Sequence, residues 1–334
     1  MASYKGIQGY TVQNLSSDPT ASEAEGQLWY NSASAKFKVG VAVTGAWAAG
    51  GDLNTPGGAG GGAGVNTACL AINSNPATKI TEEYNGTAWT ELNDTNVTHE
   101  AEVGSLGTST AAIIASGSSY PLSGADTESF NGTCWSQVGD VNYARYGGMG
   151  TGTSTAGLIA TGYTTSAPNH YSVHAEEWDG TSWTEVNNCL QARDGGAGGG
   201  TQTAGVVFGG KIDNPPVVSL ANSESYNGTS WTEGNNLNTS RSSLGGGGAT
   251  GTSILAFGGG TGWPASPTVN SEAYDGTCWT EGANLTTARR NPRGVSKAGS
   301  AALNLMAGAN SPSDTDATEV WNSSPISIKT VTVS

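Results

Sequence analysis

The stretch Glu224-Ser-Tyr-Asn-Gly-Thr-Ser-Trp-Thr-Glu233 decides the fold, because it is one copy of a motif that recurs along the chain. A glutamate stands two residues before the first aromatic residue of each copy. The second aromatic residue is a tryptophan, repeated at a nearly constant interval as Trp89, Trp135, Trp183, Trp231 and Trp279. A sixth copy begins at Glu319 and lacks this tryptophan. A fixed period of roughly 48 residues indicates a repeat architecture.

Each repeat reads as four short strands joined by tight turns. In the copy that begins near Asn235, the strands are predicted around Gly245–Gly248, Ile254–Phe257, Ser271–Tyr274 and Thr277–Glu281. The second strand ends in a double glycine, and Asp275-Gly276 is a strong signal for a two-residue hairpin between the third and fourth strands. Small residues suit the first strand, because the innermost strands of a propeller crowd its axis.

The double glycine, the aromatic residue before a turn and the spaced tryptophan resemble kelch-repeat propellers over roughly residues 52–322. The resemblance implies an all-β, six-bladed β-propeller with four strands per blade, which we expect to occupy residues 44–324. Trp47, Trp89, Trp135, Trp183, Trp231 and Trp279 are then equivalent structural positions. The motif is specific for the fold and carries little information about function.

The two ends of the chain offer rival ways to close the ring. Trp47 stands six residues before Leu53, the spacing found within complete repeats, so residues 44–51 read as a fourth strand without the preceding three. This strand is expected to complete the last blade and remove an exposed sheet edge. The rival is Ile326–Val333. If the N-terminal strand closes the ring, residues 325–334 form an extra outer strand or a docking strand.

Residues 1–43 are not a repeat and read as a docking extension. Gln27–Asn31 and Lys36–Val39 predict a β-hairpin. The stretch from Leu15 through Trp29 to Trp47 resembles leader segments of structural proteins of tailed phages, and Tyr84-Asn-Gly-Thr-Ala-Trp-Thr-Glu91 resembles repeats in virion proteins of marine phages. The resemblance implies a virion protein that binds other virion proteins through its N-terminal segment, as a homo-oligomer.

Composition excludes several classes of partner. The chain has 334 residues, 51 of them glycine, with 12% charged residues and a net charge of −14. Its few, dispersed basic residues argue against nucleic acid and anionic lipid. No apolar run is long enough to cross a membrane, and no apolar signal core follows Met1. We therefore expect synthesis in the host cytoplasm and a final location in the virion, without membrane insertion.

No cofactor, metal site or catalytic residue is predicted. The cysteines are expected to be buried thiols, since no spacing suggests zinc and Cys134 and Cys278 would lie across the ring from each other. The Asn-Gly-Thr copies match a glycosylation acceptor, but Asp-Gly fills the same slot elsewhere, so a hairpin turn explains them. The same segment is similar to the Asp-box of sialidases but is one residue shorter, and that box is likewise a turn motif.

Four arginines also recur with the period of the repeat: Arg145, Arg193, Arg241 and Arg289. They could form a ring that binds acidic sugars, or each could pair with a repeat glutamate. Pro56 and His99 occupy this slot in the first two repeats, which favours structural pairing.

The loops between second and third strands vary in length and carry aromatic residues. Variable loops on a rigid scaffold commonly bind ligands, and aromatic rings with Asn and Ser suit sugars. The candidate ligand-binding residues are Tyr120, Tyr163, His170, Tyr171, His174 and Trp263. We expect a tail fibre or capsid-surface fibre that binds host glycan through this face. The alternatives are a purely structural or decoration module and a polysaccharide-acting enzyme with an acidic pair in its central pocket.

Overall fold

The computed structural model describes residues 12–19, 27–42, 45–74, 78–99, 103–117, 124–164, 170–212, 216–262, 264–292, 294–295, 304–309, 313–322 and 326–330. These residues form strands, turns and loops, and none of them is in a helix. The chain divides into a repeat unit, Ala46–Asn322, and a terminal unit, Met1–Gly45 with Ser323–Ser334.

Near the N-terminus, four strands precede the repeats: β1 Gln13–Leu15, β2 Leu28–Asn31, β3 Lys36–Ala42 and β4 Ala46–Ala49. The hairpin predicted from sequence is present, since β2 and β3 pair antiparallel with Tyr30 opposite Phe37. Trp29 is buried, and its indole nitrogen donates to Asp18, which also pairs with Lys38. This polar cluster orders the terminal unit where apolar residues are few.

Within the described residues, the repeat unit forms six sheets whose strands pair antiparallel. The main strands of the first five sheets are in chain order. Sheet 1 contains β5 Gly61–Val65, β6 Ala68–Ser74, β7 Thr78–Tyr84 and β8 Trp89–Glu91. Sheet 2 contains β9 Gly104–Thr108, β10 Ala111–Ala115, β11 Thr127–Phe130 and β12 Trp135–Gln137. Sheet 3 contains β13 Met149–Thr153, β14 Ala156–Ala160, β15 Ala175–Trp178 and β16 Trp183–Val186.

The fourth sheet carries a short additional strand and contains β17 Asp194–Thr201, β18 Ala204–Ile212, β19 Val218–Ser219, β20 Ser223–Tyr226 and β21 Trp231–Glu233. Sheet 5 contains β22 Gly245–Thr250, β23 Ser253–Phe257, β26 Ser271–Tyr274 and β27 Trp279–Glu281, with a ribbon of β24 Gly260–Thr261 and β25 Ser266–Pro267 in its loop. Sheet 6 contains β28 Gly294–Val295, β29 Leu305–Ala309 and β30 Thr315–Asn322, followed by β4 as its fourth strand.

The two ends of the chain enter different sheets. In sheet 6, β4 lies antiparallel to β30, with Trp47 opposite Trp321. The C-terminal strand β31, Ile326–Thr330, pairs with β3 in the terminal unit. The N-terminal strand therefore takes the outer position of sheet 6, and the Ile326 segment does not.

Within the repeat unit, consecutive sheets pack face to face through their apolar side chains. The first strands contact one another in chain order, and β28 of sheet 6 contacts β5 of sheet 1. Six buried clusters each join two consecutive sheets, including one that joins sheet 6 to sheet 1. Burial of apolar area is the main stabilising term here. The arrangement is all-β and propeller-like.

The repeat tryptophans occupy equivalent buried places. Each is at most 7% exposed, and they are Trp47, Trp89, Trp135, Trp183, Trp231 and Trp279. Several also donate from the indole nitrogen to the preceding sheet, as Trp135 does to Thr81 Oγ1 at 3.0 Å. The tryptophan is needed in every copy because it fills space between two sheets. Truncation of such a residue costs about 3–5 kcal/mol.

Candidate functional site

A buried glutamate in each third strand fixes the segment that leads into its sheet. In sheet 3, Glu176 accepts hydrogen bonds from the backbone nitrogens of Asn142 and Tyr143 at 2.6 and 3.2 Å. Five glutamates bind the equivalent backbone groups in the other sheets: Glu82, Glu128, Glu224, Glu272 and Glu319. Buried carboxylates are tolerated when they are hydrogen-bonded in this way.

The recurring arginines pair with these glutamates, which confirms the structural pairing predicted from the repeat. All four guanidinium groups are buried, and the pairs are Arg145–Glu176, Arg193–Glu224, Arg241–Glu272 and Arg289–Glu319. The Nη2–Oε1 distances of the last three are 2.5, 2.8 and 2.5 Å. These arginines are therefore parts of the frame rather than groups that face a ligand channel.

Three of the four arginines also fix both ends of a variable loop. Arg193 Nη1 donates to the carbonyl of Gly209, at the end of the second strand, at 3.1 Å. It donates to the carbonyl of Asn222, just before the third strand, at 2.7 Å. Arg145 and Arg241 make the same two contacts in their own sheets. The loops thus vary in sequence while their ends are held by charge-assisted hydrogen bonds.

In sheet 2, His99 takes the place of the arginine and contacts the same kinds of group, a loop carbonyl and the repeat glutamate. Its Nδ1 lies 2.7 Å from the carbonyl of Ser116, and its Nε2 lies 3.2 Å from Glu128 Oε1. Both ring nitrogens therefore lie within hydrogen-bond distance of an oxygen atom. Burial raises the pKa of Glu128, but hydrogen bonds from His99, Val97 and Asn96 outweigh it and hold the pKa below its ordinary value.

The double glycine that ends the second strand connects neighbouring sheets. Gly259 N donates to the carbonyl of Arg289 at 3.0 Å, so the loop of sheet 5 is tied to the segment that enters sheet 6. Its φ is +93°, and a Cβ there would lie 2.8 Å from Leu244 Cβ. Gly117, Gly162 and Gly210 make the equivalent backbone bond. A side chain is excluded at this position by both conformation and space.

Six aromatic side chains lie in or beside the variable loop of sheet 3, as one stacked pair and one group of four. We call them the aromatic patch, and they are Tyr143, Tyr146, Tyr163, His170, Tyr171 and His174. Tyr163 is at the centre, stacked on Tyr146 with ring centroids 4.8 Å apart and on His170 at 5.2 Å. The edge of Tyr171 meets Tyr163 at 5.6 Å. His170 is exposed and the other five rings are half-buried.

The stacked pair Tyr143 and His174 lies beside a carboxylate, that of Glu185. Tyr143 and His174 stack with centroids 3.7 Å apart and planes inclined by 9°. The Tyr143 hydroxyl donates to Glu185 Oε1 at 3.0 Å, and His174 Nδ1 lies 3.6 Å from the same oxygen. The hydrogen bond to Glu185 raises the pKa of Tyr143. An aromatic face and a carboxylate thus stand side by side at this end of the loop.

The patch stands on ordered backbone. Tyr146 and Tyr163 exchange a pair of N–H···O bonds at 2.9 and 2.7 Å. Thr164 N donates to the carbonyl of His170 at 2.7 Å, and Ser172 N donates to that of Gly162 at 2.8 Å. These bonds order the described ends of the loop, from Gly162 to Thr164 and from His170 to Ser172.

Four of the six predicted ligand-binding residues meet in this patch, and Tyr120 and Trp263 lie outside the described residues. The sequence reasoning missed Tyr143, Tyr146 and Glu185. Tyr143 and Tyr146 flank Arg145, at positions where the next repeat has glutamine and aspartate. That departure from the repeat was the available signal.

The prediction that all cysteines are buried was wrong for two of them. Cys69 and Cys189 are buried, and Cys134 and Cys278 are exposed. The exposed pair sits in the hairpin turn, where Cys278 N donates to Asp275 Oδ1 at 2.8 Å. Serine fills this slot elsewhere, so the cysteine side chain stands in for a turn residue that faces solvent.

A small cavity lies among the first strands of the repeat unit. Its volume is about 50 Å³, and its lining includes Gly62, Val103, Ser105, Met149 and Leu244. The lining within the described residues includes no aspartate or glutamate. The acidic pair that would favour a polysaccharide-acting enzyme is thus not found in this lining.

Metal sites and membrane-spanning helices are both absent from the residues that the structure describes. Within them, no three His, Cys, Asp or Glu side chains lie close enough together to hold a metal ion. Over the same ranges, no helix is long and apolar enough to cross a bilayer.

No protein-family model and no curated protein matches this sequence. A solved structure titled "Structure of YjhT" is similar, with a TM-score of 0.66 and 10% identity, covering 83% of this chain and 99% of that chain. Identity this low carries information about fold alone. Together with the sheet topology, the likeness shows that the chain has an all-β, propeller-like fold.

Proposed function

We propose that the chain is a six-bladed, kelch-like β-propeller of a tailed-phage virion, and that its variable loops bind host-surface glycan. The round of contacts between first strands and the six buried clusters support six blades. The N-terminal extension, residues 1–43, binds other virion proteins, and the protein acts as a homo-oligomer in a tail fibre or capsid-surface fibre. It binds neither nucleic acid nor cofactor and performs no catalysis.

The aromatic patch is the observation that carries the glycan proposal. It places half-buried rings beside hydrogen-bonding groups, on a loop whose ends are held by Arg145. Sugars bind by stacking their apolar face on an aromatic ring while their hydroxyls bond to polar groups. Each contact is weak, so several copies in one assembly supply the affinity.

One observation favours a second candidate, a structural or decoration module. Tyr143, Tyr163 and His174 pack against other rings of the same patch, so part of the patch serves to order the loop itself. A decoration module would use the same face to contact a neighbouring virion protein.

Alanine variants of the loop aromatics separate the two candidates. Trp263→Ala and Tyr171→Ala, singly and together, are expected to weaken attachment to host cells while the melting temperature stays nearly unchanged. Val218→Ala, an exposed aliphatic residue of another variable loop, serves as the control and should attach normally. Unimpaired attachment of the double variant would remove the case for this face. Trp263 packed into a neighbouring virion protein would favour the structural module.

A further inference from the structure

A cavity of about 190 Å³ lies beside the segment that enters sheet 4. Its lining consists of Leu190, Gln191, Arg193, Asn222, Glu224 and Glu233. Each of these lies one full repeat after a member of the Tyr143 environment in sheet 3, namely Asn142, Tyr143, Arg145, His174, Glu176 and Glu185. The same place in the repeat can therefore be compared in two neighbouring sheets.

In sheet 3 an aromatic ring fills this place. Tyr143 lies on His174, and its hydroxyl donates to Glu185. In sheet 4 the corresponding Gln191 turns back, and its amide donates to the carbonyl of Ala192 at 3.0 Å. Asn222, at the histidine position, has no ring. The space that the tyrosine ring occupies in sheet 3 is consequently open in sheet 4.

The open cavity offers an unbonded amide, which can donate and accept, and an unbonded carboxylate, which accepts. Asn142 in sheet 3 donates from its amide to Glu176 and to the carbonyl of Trp183, at 2.8 and 3.0 Å. Leu190 replaces it in sheet 4, is 62% exposed and has no donor in its side chain. Within the described residues, the side chains of Asn222 and Glu233 make no hydrogen bond. A ligand whose hydroxyl groups both donate and accept, and which has one apolar face, would match this lining.

We propose that this cavity binds a single neutral sugar ring. The ring takes the place that Tyr143 occupies in the neighbouring sheet, with a hydroxyl donating to Glu233 and its apolar face on Leu190. A cavity of about 190 Å³ is below the roughly 300–1,000 Å³ of pockets for drug-sized ligands, which fits one ring rather than a chain. Glu224 and Glu233 disfavour acidic sugars. The inference rests on the proposed glycan-binding function and places one subsite of it.

The neighbouring sheet also supplies the decisive variant. Gln191→Tyr with Asn222→His reproduces the sheet 3 residues in sheet 4 and should fill the cavity with a ring of the protein itself. Glu233→Gln removes the charged acceptor, and Glu281→Gln changes the equivalent carboxylate of sheet 5 as a matched control. None of these four side chains belongs to a buried cluster, so the variants should fold.

Binding to the full chain is measured by amide chemical shifts in NMR titrations with methyl glucoside, methyl galactoside and methyl mannoside. Glucuronate is the acidic control. At least one neutral sugar should shift the amides of Leu190, Gln191 and Asn222 with millimolar affinity, and glucuronate should not. Glu233→Gln should weaken that binding about tenfold, since a hydrogen bond to a charged group is lost. The ring-filled variant should abolish it, and Glu281→Gln should leave it unchanged.

Absence of shifts with every neutral sugar, or equal binding by the ring-filled variant, would overturn the subsite. Host-cell attachment of the same variants separates this failure from that of the proposed function. Loss of attachment on changing Tyr171, with normal attachment of the ring-filled variant, would leave glycan binding in sheet 3 and none in sheet 4. Normal attachment of both variants would overturn both proposals.

Discussion

The buried arginine–glutamate pairs show why single residues matter unequally in this chain. Arg241 gives two hydrogen bonds to loop carbonyls and one to Glu272, so removing it breaks three hydrogen bonds. The intact pair contributes little net stability, because burying both charges costs desolvation free energy. Removing one partner is strongly destabilising, because the other charge is then buried without compensation.

Arg241→Ala should lower the free energy of unfolding by about 3 kcal/mol, because buried Glu272 is left without its cationic partner. Arg241→His should lose less, since His99 serves in this slot in sheet 2. Urea unfolding at pH 6 measures both. An alanine variant as stable as the wild type would show that the guanidinium is not part of the frame.

Glu128 gives the protein a dependence on acid pH. Its pKa in the folded state lies below the ordinary 4.5, so the fold favours the ionised carboxylate. That contribution is complete above about pH 4.5 and is lost as the pH falls through the lowered value. The urea midpoint should therefore drop on acidification below pH 4.5, and less in Glu128→Gln. The exposed Glu281→Gln variant should show the same fall in urea midpoint as the wild type. An equal fall with pH in all three proteins would show that Glu128 is not the source of the acid dependence.

At the scale of single elements, the loop that follows each second strand depends on glycine for two separable reasons. Gly259 combines a φ of +93° with close contacts to Leu244 and to the carbonyl of Ser242. Gly262 has a φ of +70° and no atom within 4 Å of an added Cβ. The two positions thus distinguish backbone conformation from crowding.

Gly262→Ala should cost about 1–2 kcal/mol, the penalty for a left-handed backbone. Gly259→Ala should cost about 1–3 kcal/mol more, because the methyl group also overpacks Leu244 and Ser242 in the segment that enters sheet 5. Thermal unfolding of the two variants gives the comparison. Equal losses would mean that the double glycine is required for conformation alone.

The strands were the predictable part of this fold. Asn-Gly and Asp-Gly turns, a double glycine and a regularly spaced tryptophan determine strand ends locally, so the four strands of each repeat follow from sequence. The salt bridges followed as well, because Arg241 and Glu272 recur in register. The sequence did not predict the β24–β25 ribbon of sheet 5 or the solvent exposure of Cys278. Both depend on the conformation of a single loop or turn at the surface.

The aromatic patch was only half predictable. Tyr163, His170, Tyr171 and His174 stand in one loop and could be grouped by position alone. Tyr143 and Tyr146 come from the segment before the sheet and join them only when β13 and β14 pair. Glu185 lies on the fourth strand, which is adjacent to this loop only in the folded sheet. Contacts between distant segments are set by packing, which the repeat pattern does not display.

For the whole molecule, the position of β4 divides the N-terminal region into two parts. Ala46–Ala49 is the fourth strand of sheet 6, and Trp47 donates to Ser271 Oγ of sheet 5 at 2.9 Å. The preceding strands belong to the terminal unit. Removal of the strands before β4 should therefore impair assembly, and removal of β4 should impair folding.

A truncation that begins at Thr44 keeps β4 and should leave a folded repeat unit that no longer enters its assembly. A truncation that begins at Gly50 also removes β4, and should unfold at lower temperature and aggregate, because sheet 6 then has an open edge and lacks Trp47. Calorimetry and incorporation assays distinguish the two products. Normal incorporation of the longer product would refute the docking role of residues 1–43.

The pairing of β4 with β30 also sets the order of events on the ribosome. Trp47 is translated long before its partner Trp321, so this strand waits for the whole of the repeat unit to emerge. At elongation rates of roughly 5–20 residues per second, the wait lasts some tens of seconds. During that time Trp47 and one edge of the nascent chain remain open to chaperones. Only complete translation supplies the last partner, so a prematurely terminated chain is left with an unpaired strand that quality control can detect.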